Sequence, residues 1–246
     1  MRDGTGRSLN AVSRPLLDVV VLTPGDIKGA TEGGADRLEV LTRPEDGGMT
    51  PDLDAVQAFI ETSTLPIRVR LRLRDDYTST GGELSRLVGL AQTLTEQGVE
   101  GFTFGFVSPD LGVDVSLTEA LAEGLDGAPW TFHRAIDHVL SRRKAYLALR
   151  EMPGLDGILT AGSARGTEFG VDQLCSEASE DAAVAAILIA GGGLRAEDVP
   201  WLARAGVRAF HVGASVRPGR SPKAYVDAAL VRSWRSLVDD SVAAAL

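Results

Sequence analysis

From Leu16 onward the chain alternates short runs rich in β-branched, aliphatic and aromatic residues with longer amphipathic stretches of helical period. The short runs predict strands at Leu16–Leu22, Arg37–Leu41, Ile67–Arg74, Gly101–Phe106, Trp130–Arg134, Gly157–Thr160, Ala186–Ala190 and Ala209–Val212. The longer ones predict helices, among them Pro51–Thr62, Glu83–Gln97, Leu140–Met152 and Ala196–Ala205. Asp52, Asp54 and Glu197 fall early in these stretches, where a carboxylate meets the positive end of a helix dipole. Gly33-Gly34, Gly98, Gly154 and Gly206 end helices just before the next strand. Eight βα units in series predict a parallel sheet and favour its closed form. The expected fold class is α/β, a single (β/α)8 TIM barrel over residues 16–246. The turn after the first strand, Thr23-Pro24-Gly25-Asp26, lacks the glycine spacing of a dinucleotide-binding fold. Residues 1–15 are expected to be a flexible lead.

Strand parity then assigns side chains to the two faces. In Ile67-Arg68-Val69-Arg70-Leu71-Arg72-Leu73-Arg74 one face is aliphatic and the other is arginine. The outer face of a parallel barrel must meet helices, so the aliphatic side goes out and the arginines point in. The next strand, Gly101-Phe102-Thr103-Phe104-Gly105-Phe106, then offers only glycine and threonine inward, which leaves room for long neighbours. The same parity turns Asp18 and Glu39 inward, and Glu39 becomes the natural partner of Arg70 or Arg72. Buried guanidinium groups need partners. Two readings stand: a self-paired ion network, or an anion held by Arg70, Arg72 and Arg74 toward the C-terminal strand ends, where active sites of this fold lie.

Two histidines, His133 and His211, alternate with apolar residues on strands and are expected inside, near the mouth; His138 falls in a loop. Glycine-bearing turns follow the seventh and eighth strands: Gly191-Gly192-Gly193 and Gly213-Ala214-Ser215. Small residues there let backbone N–H groups approach a phosphate or another anion. The bland alternative is that they only supply tight turns.

Composition changes this picture mainly by exclusion. The net charge is −9 and the pI about 4.9, which disfavours nucleic acid or an anionic membrane as partner. No apolar run approaches the length of a bilayer span, and the N-terminus lacks the apolar centre of a signal peptide, so a cytoplasmic location is expected. The one cysteine, Cys175, has no partner for an internal disulfide and is expected to be a buried helix residue rather than a nucleophile. Homo-oligomerisation is expected on general grounds.

With these residues in view, the chain resembles the CutC family, labelled copper homeostasis proteins, which are (β/α)8 barrels. The resemblance rests on Gly34-Ala35-Asp36-Arg37-Leu38-Glu39, Gly47-Gly48-Met49-Thr50-Pro51 and Thr131-Phe132-His133-Arg134-Ala135-Ile136-Asp137, with support from Leu159-Thr160-Ala161-Gly162 and the turn at Gly191. The family's R-P-R pattern matches Arg72-Leu73-Arg74, with leucine in place of proline and Asp75-Asp76 in place of glycines. Where the family has glutamate and cysteines on its first strand, this chain has Asp18 and then Val19, Val20 and Val21; Leu41 replaces a further cysteine. Copper is thus implied by the family label alone, and the thiolates that suit copper(I) are missing from the strands.

Three functions compete. An enzyme acting on a small anionic or phosphorylated metabolite would use Glu39 or His133 as acid or base, with Asp18 and His211 tuning them. A copper-binding or copper-trafficking protein would follow the label. A structural protein would explain the fold but leave the inward polar residues unused. No cofactor is predicted from the residues themselves, and no metal site, since arginines around Asp18, Glu39, His133 and His211 would repel a cation.

Overall fold

The computed structural model describes residues 14–246, so the expected N-terminal lead lies outside the described residues except for Arg14 and Pro15. Eight parallel strands close into a barrel in sequence order: β1 (Leu16–Val21), β2 (Arg37–Val40), β3 (Ile67–Arg70), β4 (Gly101–Phe104), β5 (Trp130–Phe132), β6 (Leu155–Thr160), β7 (Leu188–Ala190) and β8 (Ala209–Val212). The ring around it is built from α1 (Gly25–Gly33), α2 (Leu53–Thr62), α3 (Gly81–Glu96), α4 (Val115–Glu123) and α5 (Arg142–Leu149). It continues with α6 (Thr167–Glu180), α7 (Ala182–Ile187), α8 (Val199–Arg204) and α9 (Ala228–Ala243), which packs on α1 and α8 and completes the ring. The fold is the expected single (β/α)8 barrel.

Side-chain direction follows parity. Leu17, Val19, Leu38, Val40, Val69, Phe102, Phe104, Phe132 and Phe210 are wholly buried in the layer between strands and helices. Burial of aliphatic and aromatic area there, worth roughly 25 cal/mol per Å2, is the main stabilising term. The helix-ending turns take the left-handed backbone that glycine tolerates, as at Gly34 (φ 94°) and Gly206 (φ 106°).

Several boundaries differ from expectation: the first and second strands end one residue early, at Val21 and Val40, and the fourth and fifth two residues early, at Phe104 and Phe132. The seventh strand begins at Leu188, because Ala182–Ile187 is helical and Asp181 caps it through the amides of Ala183 and Val184. The sixth begins earlier, at Leu155. The third ends at Arg70: Leu71 N–H still reaches Thr103 O, but Arg72 N–H turns to the hydroxyl of Thr50.

Toward the N-terminal ends of the strands the barrel is filled by an ion network. Arg37 donates to Asp18 at 2.7 and 3.1 Å and lies 3.5 Å from Asp156, which also pairs with Arg68 and accepts from the Thr131 hydroxyl at 2.9 Å. Gly101 makes this possible, since an added Cβ would run into the Arg68 guanidinium and the Pro129 carbonyl. Here the expectation of small neighbours beside long arginines holds. Among the described residues no helix is long and apolar enough to cross a membrane.

Candidate active site

Above that network sits a second polar layer. Glu39 is 1% exposed and receives Arg70 Nε at 2.8 Å and Nη2 at 2.7 Å on one carboxylate oxygen. His211 Nε2 lies 2.6 Å from the other oxygen. Burial alone would raise the Glu39 pKa; the Arg70 charge and the His211 hydrogen bond outweigh it and hold the carboxyl well below the usual range. An ionised carboxylate can only accept, so His211 donates through Nε2. In the neutral ring that fixes Nδ1 as the unprotonated nitrogen. Nδ1 lies over Gly191, where a Cβ would come within 3.1 Å of it, and it has no protein partner among the described residues.

His211 and Arg70 border a cavity of about 400 Å3 at the C-terminal end of the barrel, the end where the turns after β7 and β8 converge. Its apolar wall includes Val20, Leu22, Leu41 and Leu159; its rim includes Gly192, Gly193, Gly213, Ala214 and Ser215. Among the described residues the amides of Gly193, Ala214 and Ser215 donate to no protein acceptor, whereas Gly191 N–H is taken by Thr160 O. Among the described residues four arginines border the cavity, three of them already engaged. Arg70 is held by Glu39 and by Gly47 O, Arg134 by Asp137 and the carbonyls of Ser163 and Ala164, and Arg217 by Asp26. Arg220, exposed at the rim, has no ion-pair or hydrogen-bond partner for its side chain among the described residues. Glu45 is the one carboxylate on the wall among the described residues.

The other expected site residues fall elsewhere. Asp18 belongs to the lower network with Arg37, not to the mouth. Arg74 does not point into the barrel: beyond the end of β3 the chain turns, and its half-exposed side chain pairs with Asp76 and Glu83. Arg72 is 5% exposed and spends its Nη atoms on the carbonyls of Asp46, Gly48 and Asp75, tying the segment after β2 to the segment after β3. His133 is fully buried, does not border the cavity, and accepts the Ala135 N–H on Nδ1 at 3.3 Å. Cys175 is half-buried on α6, and burial raises its thiol pKa.

Sequence reasoning missed Arg37, Asp156, Asp26, Arg217, Arg220 and Tyr77. Arg37 shares the parity of Glu39 and was legible by that rule. Asp26 was visible in the turn after the first strand, but its partner Arg217 lies 191 positions away. Asp26 is fully buried. Burial pushes its pKa up, and the Arg217 bond with the Leu22 and Val226 amides brings it below the usual carboxylate range.

Known proteins of similar sequence include the family proteins CutC of Klebsiella pneumoniae (strain 342), 30% identical over 81% of this chain and 80% of the relative, and of Enterobacter sp. (strain 638), 30% identical over 86% and 84%. Among solved structures, the CutC of Streptococcus agalactiae, named for copper homeostasis, is 19% identical with a TM-score of 0.71, covering 81% of this chain and 98% of its own. A thiamine phosphate pyrophosphorylase from Pyrococcus furiosus is 15% identical with a TM-score of 0.59, covering 93% and 96%. These two structural likenesses speak for the barrel alone. The model of the CutC family matches residues 16–216, the span that holds all eight strands and the Glu39–His211 pair, and the chain belongs to that family.

Proposed function

We propose that the barrel mouth is an active site for a small carboxylated or phosphorylated metabolite, with His211 as the acid–base group. The observation that carries this reading is the Glu39–His211 pair at 2.6 Å, which leaves Nδ1 unpaired beside a cavity of about 400 Å3. Glu39 acts through His211 as a positioning residue: it fixes the tautomer and stabilises the imidazolium formed when Nδ1 takes a proton. Arg70 in turn keeps Glu39 ionised. The roles expected of Glu39 and His133 as acid or base thus pass to His211. The anion is assigned to the rim rather than to the arginine row, because Arg68, Arg70 and Arg74 already pair with carboxylates and Arg72 spends its Nη atoms on backbone carbonyls, while the amides of Gly193, Ala214 and Ser215 and the Arg220 guanidinium have no acceptor among the described residues. Apolar walls suit the remainder of a small organic molecule.

Copper, suggested by the family's name, does not fit the residues present. Copper(I) favours thiolate or thioether donors. The strands contain no cysteine, and Cys175 sits on α6. Among the described residues no group of three or more His, Cys, Asp or Glu side chains is placed to hold a metal ion.

Titration calorimetry with inorganic phosphate tests the anion assignment. Wild type should bind, and Arg220→Ala should weaken binding at least tenfold, about 1.5 kcal/mol, the lower end of the range for one hydrogen bond to a charged group. Equal affinity in both would remove Arg220 from the site. Against any substrate found by screening phosphorylated and carboxylated metabolites, His211→Asn should lower kcat by roughly 10²–10⁴.

A further inference from the structure

Of the three buried side-chain N–H donors without an acceptor among the described residues, one, Nε of Arg235, is on α9, and two stand together inside the barrel: Nε of Arg72 and Nε2 of His133. Native proteins seldom leave buried donors unpaired. Both belong to side chains at least nine-tenths buried. Because His133 Nδ1 accepts the Ala135 amide, the neutral ring carries its proton on Nε2. Burial and the nearby charges of Arg70 and Arg72 keep that ring neutral.

Both side chains lie against one ring. The Arg72 guanidinium stacks 4.4 Å from the Tyr77 centroid, and His133 meets the same ring edge-on at 5.2 Å. Tyr77 also borders the mouth cavity, which His133 does not. The backbone of Tyr77 is pinned, since its carbonyl accepts Val107 N–H at 2.8 Å, while its hydroxyl has no partner among the described residues. The ring can therefore turn aside without breaking a hydrogen bond.

We propose that Arg72 and His133 form a second subsite behind Tyr77, which receives a carbonyl or carboxylate oxygen of the substrate when the Tyr77 ring swings away. Its chemical role rests on the reading of His211 given above. Two N–H groups facing an oxygen stabilise negative charge that develops there. The substrate class that fits both ends is a carbonyl compound with a hydrogen on the adjacent carbon and an anionic tail. His211 Nδ1 takes that proton, the C–H electron pair becomes the double bond of an enolate, and the carbonyl π pair moves to the oxygen held by Arg72 and His133. Where a C=C bond follows that carbon, the anion is a dienolate; return of the proton to the far carbon of that double bond re-forms the carbonyl and shifts the C=C into conjugation, an isomerisation that needs no further reactant.

The test uses the full chain with 15N-labelled histidine and acetate as probe. In Tyr77→Ala the His133 Nε2 resonance should shift saturably with acetate, with affinity at least fivefold above wild type. Tyr77→Phe, which keeps the ring, should behave as wild type. If Tyr77→Ala does not fold, Tyr77→Leu carries the same titration. An unmoved His133 in a natively folded variant overturns the subsite. Phosphate titrated in the same samples reads the mouth separately through His211: a His211 response beside a silent His133 keeps the mouth and removes the subsite, and the reverse keeps the subsite and removes the mouth anion.

Discussion

Replacing Glu39 by glutamine isolates the charge on which the upper layer turns. The carboxylate is 1% exposed and Arg70 is 3% exposed, so neither is screened by solvent. The amide keeps an oxygen able to accept from Arg70 Nε and Nη2, now 2.8 and 2.7 Å away, but removes the counter-ion. Breaking a buried pair from one side typically costs about 3–5 kcal/mol, and the retained amide acceptor puts the expected loss near the lower end, about 3 kcal/mol. A domain with roughly 5–15 kcal/mol of stability survives that loss folded. Urea denaturation followed by tryptophan fluorescence measures it, and a loss below about 1 kcal/mol would refute the claim that this pair is closed and buried. The pH dependence carries a second, independent sign. Because the folded pKa of Glu39 lies below its unfolded value of 4.5, its contribution is present above that pH and fades as pH falls. The stability gap between wild type and Glu39→Gln should therefore narrow below about pH 4.5.

Other parts of the fold give sharper single tests. Asp26→Asn, which unpairs buried Arg217 and weakens the acceptor for the amides of Leu22, Thr23 and Val226, should cost about 3–5 kcal/mol. Hydrogen exchange should speed up at Val226 first, and unchanged protection there would contradict the assignment. Gly101→Ala drives a methyl into Arg68 and Pro129 and should destabilise by about 1–3 kcal/mol in thermal or urea unfolding; a neutral result would mean that the Arg68 side chain lies elsewhere. In competition with a copper(I) chelator, wild type and Cys175→Ser should be indistinguishable, and tight binding by wild type would revive the copper reading.

Much of this arrangement was legible in the sequence because barrel strands obey a period of two. Parity alone turned Glu39, Arg68, Arg70, His133 and His211 inward, and it explained the glycine at position 101. It failed where the strand stopped. Arg72 and Arg74 continue the alternation in sequence, yet the ladder ends just past Arg70, and from there loop geometry decides each direction. Asp18 obeyed parity but sits lower in the barrel, because stagger between strands sets height and a sequence does not display it. Asp156 lay one residue outside the predicted sixth strand. Arg217, Arg220 and Tyr77 come from loops whose partners or position are fixed by tertiary contact, and no periodic signal marks them.

The central claim is an anion-binding acid–base site at the mouth. A crystal structure grown in inorganic phosphate tests it most directly. Phosphate is expected within hydrogen-bond distance of the Gly193, Ala214 and Ser215 amides and of Arg220, with His211 Nδ1 open to the same cavity. A mouth without phosphate, or one in which Nδ1 is taken by a protein group, would contradict it.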